Sequence, residues 1–260
     1  MYKFRVLEAF YDLDIVLIYP DFMRERYHCR EHVIVHYSRE QNTFSFDMID
    51  RRDIQINGKA PEETVDQMMI ELGDALYPFS LQISPDGEIL KVYSFEEIRG
   101  RWFKKAKELL NKNRISPFKK YLQISQRNMK TEETFRKTLM KNSFFKFYFL
   151  PGNAESFLHE VHHFPQRSDT TLFLFETSKS GMAESENQSF TAQTIFPEEK
   201  ATTGRLNRRF TELHDLEILQ AVLKWENAEG MPYRKVITIR TDMEKRDVLK
   251  ANKLWSFILD

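Results

Sequence analysis

The sequence predicts an α+β protein in which an antiparallel, twisted or curved β-sheet packs against a central layer of about three to four helices. Apolar and polar side chains alternate over many segments, as they do in half-buried strands. Helical periodicity is concentrated in the middle of the chain, and most connections are short, which favours antiparallel pairing. We expect a single domain with N-terminal strands at about 1–93, a helical layer at about 94–142 and C-terminal strands at about 143–260.

The first part of the chain predicts a β-meander. Residues 2–19 alternate roughly and indicate one long strand or a tight hairpin. Segments 31–38 and 43–56 alternate clearly, with Val33 and Val35 on one side of the first. A short polar turn joins these two segments, so neighbouring strands are expected to pair directly.

A helix is predicted after this meander. Pro61 suits the first helical turn, and Glu62 and Glu63 place negative charge at the positive end of the helix dipole. An apolar stripe at helical spacing indicates the side that faces the core. Its members are Val65, Met68, Met69 and Leu72.

A hairpin and three further helices follow. Pro85-Asp86-Gly87 is a strong turn signal between two short strands. Ser94 and Glu97 have the spacing of a capping box and predict that a helix begins there. Residues 118–129 and 131–142 predict two more helices, which completes the expected helical layer.

Strand patterns return in the last part of the chain. The aromatic segment FFKFYFL, residues 144–150, is typical of a strand and ends at a Pro-Gly turn. Further strands are predicted at 170–177, 190–196, 205–213, 217–227, 233–241 and 253–259. The segment 217–227 also fits a helix.

Charge and cysteine content exclude several classes of protein. The chain has 39 Lys and Arg against 39 Asp and Glu, so its total charge gives no general attraction to nucleic acid. Arg205, Arg208 and Arg209 are a candidate local basic patch, although a solvated strand or turn is the simpler interpretation. The single cysteine, Cys29, cannot form an intrachain disulfide and is interpreted as an incidental thiol.

The N-terminal residues do not predict a targeting or membrane segment. Arg5, Glu8, Asp12 and Asp14 interrupt the first apolar run, which therefore does not resemble a signal-peptide core. No apolar stretch is long enough to cross a bilayer. We expect a cytoplasmic protein if Met1 is the native start, and this expectation fails if a signal or a lipid anchor has been removed.

His159, Glu160 and His163 form the zinc-protease pattern H-E-x-x-H. On a helix the two histidines could bind one zinc ion, and Glu160 could act as the general base. Pro165 leaves room only for a short helix, and Gln166 occupies the position where the longer pattern has glycine. The segment also has strand periodicity, in which case the pattern has no metal geometry. A chance cluster is the main interpretation, and a zinc-dependent metallohydrolase is the alternative.

The main functional hypothesis is a non-catalytic binding or assembly protein without a cofactor. The sequence has no G-x-S-x-G, Walker A or G-x-G-x-x-G motif. In a strand, Phe145, Phe147 and Phe149 would form one aromatic row, which either packs under a helix or binds a partner. The partner is expected to be another protein or a small apolar ligand. The overall plan resembles that of periplasmic lipid-carrier half-barrels, which implies an apolar ligand between sheet and helices.

Overall fold

A computed structural model describes residues 6–19, 21, 23–38, 43–84, 87–112, 115–150, 155–162, 170–177, 187–194, 203–210, 216–226 and 232–241. The described strands are β1 Val6–Ile18, β2 Arg24–Ser38, β3 Thr43–Ile56, β4 Phe79–Ile83, β5 Ile89–Val92, β6 Ser156–His162, β7 Thr170–Thr177, β8 Asn187–Thr194, β9 Thr203–Phe210, β10 Leu216–Glu226 and β11 Pro232–Thr241. The described helices are α1 Thr64–Asp74, α2 Phe95–Lys112, α3 Ser116–Asn128, α4 Glu132–Leu139 and α5 Ser143–Tyr148.

All eleven described strands form one antiparallel sheet in the order β5-β4-β3-β2-β1-β11-β10-β9-β8-β7-β6. Strands β1 to β5 form one meander and β6 to β11 form a second. The meanders join where β1 pairs with β11, with Tyr11 opposite Thr241 and Ile15 opposite Ile237. The predicted antiparallel pairing is therefore confirmed.

The predicted fold class, with its central helical layer, is wrong. One large sheet runs through the whole described chain, and the helices are not a layer between two sets of strands. Because β1 pairs with β11, the middle of the chain lies at the two edges of the sheet, at β5 and β6. Helices α2 to α5 connect these edges. Helices that lie in the middle of the sequence therefore do not form a central layer in the folded protein.

The predicted strand at 144–150 is also wrong, because most of this segment forms α5. The side chain of Asn142 caps the helix, with its Oδ1 accepting a hydrogen bond from the backbone N–H of Phe144 at 2.8 Å. Phe144, Phe145 and Phe147 are all buried in this conformation. A strand would have pointed neighbouring side chains to opposite faces.

Other boundaries differ, most of all at β2, which begins at Arg24 and not at residue 31, or cannot be compared. The first helix begins at Thr64, three residues after Pro61. Ser94 precedes α2 with φ of 52°, and its backbone carbonyl accepts hydrogen bonds from the N–H groups of Glu97 and Ile98. The predicted strand at 253–259 lies outside the described residues.

The sheet curls around α5. Strands β3 and β6 are separated by eight inter-strand steps, which in a flat sheet span roughly 38 Å. Helix α5 has six residues and is about 9 Å long. Yet its Phe144 ring lies 6.4 Å from Phe46 on β3, and its Phe147 ring lies 4.9 Å from His159 on β6. Only strong curvature brings both strands within reach of one short helix, so the face that carries α5 is concave.

Candidate functional site

The concave face of the sheet is apolar along almost its whole width. Leu13 lies opposite Ile239, and Ile239 lies opposite Leu219, so the face continues across the junction of the two meanders. Phe157 lies opposite Phe175 at the far edge. Its buried apolar members include Ala9, Tyr11, Leu13, Val33, Phe46, Met48, Leu81, Phe157, Phe173, Phe175, Phe190, Leu206, Leu219, Ala221, Leu223, Ile237 and Ile239.

Helix α5 packs its aromatic side chains onto this concave face. Phe144 contacts Tyr11 with 5.8 Å between ring centroids, and Phe147 contacts His159. The exposed fractions of Phe144 and Phe147 are 0% and 2%. Helix α5 therefore covers parts of both meanders, and a ligand could reach the surface beneath it only if the helix moved.

Hydrogen bonds at the C-terminal end of α5 connect it to strands of both meanders. The hydroxyl groups of Tyr148 and Tyr11 on β1 lie 3.1 Å apart. Two residues later, the carbonyl oxygen of Leu150 accepts a hydrogen bond from Nη1 of Arg208 on β9 at 3.2 Å. The same guanidinium donates through Nε to Oε1 of Gln188 at 2.5 Å. These contacts hold the helix to the concave face.

Gly87, between β4 and β5, is packed against the residue that follows α5. It adopts a φ of 83°, a conformation that favours glycine. A Cβ atom placed on Gly87 would lie 2.6 Å from the Cβ of Phe149 and even closer to its carbonyl oxygen. The β4–β5 end of the sheet therefore meets the α5 segment, just as β6 does from the other side.

Two cationic side chains are buried on the concave face within the described part of the chain. Arg208 and Lys235 are each only 4% exposed. Loss of hydration on burial lowers the pKa of Arg208 to about 10 and the pKa of Lys235 to about 8. Sequence reasoning missed Lys235, although the alternation of β11 places it on the same side as Tyr233 and Ile237.

A buried polar cluster lies where β2 and β3 meet the end of α1. Oε2 of Glu31 accepts a hydrogen bond from the Tyr77 hydroxyl at 3.0 Å, and Oε1 lies 3.7 Å from Sγ of Cys29. Arg51, opposite Glu31 in the register, pairs with Asp74 at 3.1 Å. Burial raises the pKa of Glu31 to about 7, against the opposing attraction of Arg51. Burial also raises the pKa of Cys29, which makes a reactive thiolate unfavourable.

The three aromatic residues predicted to bind a partner lie in or beside α5. Phe145 is 2% exposed and Phe147 is 2% exposed. Phe149 is partly buried and stacks on Phe145 with 6.3 Å between ring centroids. They do not form an exposed row, and their role in binding stays a prediction.

The H-E-x-x-H segment is a strand as far as it is described. His159 and Glu160 are neighbours on β6, so their side chains point to opposite faces, the first buried and the second exposed. His163 lies outside the described residues. Among the described residues, no group of three or more His, Cys, Asp or Glu side chains could hold a metal ion. The metallohydrolase hypothesis accordingly has no structural support in this part of the chain.

The candidate basic patch on β9 is divided between the two faces of the sheet. Arg205 and Arg209 are exposed, whereas Arg208 is buried on the concave face. The three side chains therefore do not form one patch. Only Arg208 belongs to the candidate site.

The opposite, convex face of β1 and β2 carries cross-strand ion pairs. Nε of Arg30 lies 2.8 Å from Oδ1 of Asp12, and Nη2 of Arg26 lies 2.6 Å from Oδ1 of Asp14. Charges of opposite sign thus compensate one another across the strand pair, as on a hydrated surface. The contrast between the two faces singles out the concave face as the candidate binding surface.

No protein-family model matches the sequence, and no curated protein sequence matches it. A solved structure titled "Lipid-protein interactions in lipovitellin" is similar, with a TM-score of 0.41, 9% sequence identity and coverage of 91% of this chain and 25% of that chain. The chain thus spans about a quarter of the length of that protein, and a TM-score this low says nothing about the function of the present chain.

None of the helices in the described residues is long and apolar enough to span a membrane. The cytoplasmic location stays a prediction.

Proposed function

We propose that the protein is a non-catalytic binding protein that holds an apolar ligand on the concave face of its sheet. The observation that carries this proposal is the position of α5 between the two edges of a curled apolar sheet. A hydrocarbon chain would replace the aromatic rings of α5 on a surface of the same chemistry. Burial of apolar area would then supply the binding free energy.

Entry of the ligand requires α5 to leave the concave face. The helix is only six residues long, so few backbone hydrogen bonds are lost if it moves or unwinds. The Tyr148–Tyr11 and Arg208–Leu150 hydrogen bonds stabilise the closed state. Because the closed state competes with the ligand, each closing contact weakens the apparent affinity.

Arg208 supports a ligand with an anionic end. When α5 moves, Nη1 of Arg208 loses its hydrogen bond to the Leu150 carbonyl. A carboxylate is a stronger partner for guanidinium than a carbonyl oxygen. We therefore expect a fatty-acid-like amphiphile to bind more tightly than the corresponding alcohol or methyl ester.

The first test is organic extraction of the purified protein followed by mass spectrometry, together with titration of a fluorescent fatty acid. Co-purifying lipid or saturable binding is expected. Tyr148→Phe removes one closing hydrogen bond, worth about 1 kcal/mol, so the apparent affinity should rise about fivefold. Tyr93→Phe, at an exposed tyrosine, is the matched control.

Two results would count against this function. One is the absence of both extractable lipid and probe binding in folded protein. The other is an unchanged affinity in Tyr148→Phe, which would mean that α5 does not compete with the ligand. Arg208→Met should remove the preference for the carboxylate over the methyl ester, which tests the anionic end separately.

A further inference from the structure

The zero net charge of the chain conceals a strongly basic segment. Residues 99–146 contain 15 Lys and Arg against 3 Asp and Glu, a net charge of +12. The rest of the chain contains the remaining 24 Lys and Arg and 36 Asp and Glu, a net charge of −12. We call residues 99–146, which include most of α2, all of α3 and α4 and the first part of α5, the basic helical segment.

Some cations of the basic helical segment have roles within the protein. Arg101 donates to the carbonyl oxygens of Leu76 and Pro78, and Arg136 donates to that of Ile89. Nine others, all within the described residues, form no ion pair. They are Lys104, Lys107, Lys112, Lys119, Lys120, Arg127, Lys130, Lys141 and Lys146. This positive charge is therefore available to an external partner.

Large apolar side chains are exposed among these cations. Phe103 on α2 is 40% exposed and Ile124 on α3 is 62% exposed. Both helices bury a separate apolar stripe against the protein, which includes Trp102 on α2 and Leu122 on α3. Phe103 and Ile124 lie outside these buried stripes.

Helical spacing places cations directly beside each exposed apolar side chain. Residues three or four apart are neighbours on a helix surface. Phe103 has Lys107 one turn after it, and Ile124 has Lys120 and Arg127 one turn before and after it. Each helix thus presents an apolar side chain flanked by basic ones.

We propose that the exposed faces of α2 and α3 dock on an anionic lipid surface. Lysine and arginine side chains attract acidic headgroups, and Phe103 and Ile124 can enter the boundary between headgroups and acyl chains. A nucleic acid would use the cations but would gain little from a buried isoleucine side chain. This proposal is independent of what the concave face binds.

The test is flotation of the full chain with lipid vesicles. Binding is expected to vesicles with about one third phosphatidylglycerol in phosphatidylcholine, and not to phosphatidylcholine alone. Raising NaCl from about 0.05 M to about 0.5 M shortens the range of charge interactions severalfold and should weaken binding. Equal binding to both vesicle types would overturn the proposal, as would no binding to either.

Matched variants separate the contributions of charge and apolar contact. Lys107→Gln and Lys120→Gln should each weaken vesicle binding about fivefold. Lys224→Gln, at an exposed lysine on β10, should leave it unchanged. Phe103→Ser with Ile124→Ser should weaken vesicle binding severalfold, whereas Met23→Ser, at another exposed apolar residue, should not.

A duplex DNA titration distinguishes a general polyanion site from a lipid site. The Phe103→Ser/Ile124→Ser variant should bind DNA as the unsubstituted chain does, however weakly. If DNA binds more tightly than anionic vesicles and this variant loses no vesicle binding, the surface is a nucleic-acid site and the lipid proposal is wrong. Circular dichroism of every variant shows whether loss of binding reflects loss of the fold, and lipid extraction reports on the concave face separately.

Discussion

Glu31→Gln should change the pH dependence of stability in a defined window. The Glu31 side chain is 3% exposed and accepts the Tyr77 hydrogen bond through Oε2. Burial raises its pKa from 4.5 to about 7. Glutamine has nearly the same shape, keeps an oxygen acceptor for Tyr77 and carries no titratable proton, so it removes the charge with little change in packing.

The direction of this pH dependence follows from the number of protons that the folded and unfolded states bind. Between pH 4.5 and about 7, the folded protein holds a proton on Glu31 that the unfolded chain has lost. The free energy of unfolding therefore falls as pH rises through this window. A pKa difference of about 2.5 corresponds to about 3 kcal/mol, which is fully lost above about pH 7.

Urea denaturation at about pH 4 and about pH 8 measures this effect, because both pH values lie outside the window in which Glu31 titrates. The difference in free energy of unfolding, Glu31→Gln minus the unsubstituted chain, should be about 3 kcal/mol more favourable to the variant at about pH 8 than at about pH 4. Glu88→Gln, at an exposed glutamate, is the control and should show no such difference. Parallel pH profiles for the unsubstituted chain and Glu31→Gln would refute the reasoning.

Three further substitutions test the packing around the concave face. Phe144→Ala, which empties a fully buried ring position, should lower the free energy of unfolding by about 3–5 kcal/mol in urea denaturation. Gly87→Ala should lower the melting temperature, because a Cβ at positive φ costs about 1–2 kcal/mol and would also clash with Phe149. Burial lowers the pKa of Lys235 from 10.5 to about 8, so the free energy of unfolding of the unsubstituted chain should rise with pH between these values. Lys235→Met should lack that rise, which urea denaturation at both ends of the range measures.

Local patterns predicted most of the strands but not α5. Strands such as β4 and β7 alternate clearly, because one of their faces is buried and the other is less so. The segment after Asn142 has high β-propensity, yet tertiary packing favours a helix that buries Phe144, Phe145 and Phe147 together. Asn142 as a helix cap was the signal in the sequence that could have indicated this.

The candidate site could be predicted only in part, because it depends on contacts between distant segments. The apolar sides of the strands follow from alternation, but nothing local specifies that β1 pairs with β11. That pairing decides which strands become edges and where α5 lies. The basic helical segment could be found by counting charges along the sequence, but the total charge of zero does not indicate it.

The pairing of Tyr11 with Thr241 also constrains how the protein is made. These two residues are 230 positions apart, so their contact closes a loop that contains most of the chain. During translation the first meander can pair internally as soon as it emerges from the ribosome. It must then keep the β1 edge unpaired until β11 is synthesised, and throughout that time β1 is exposed to pairing with strands of other nascent chains.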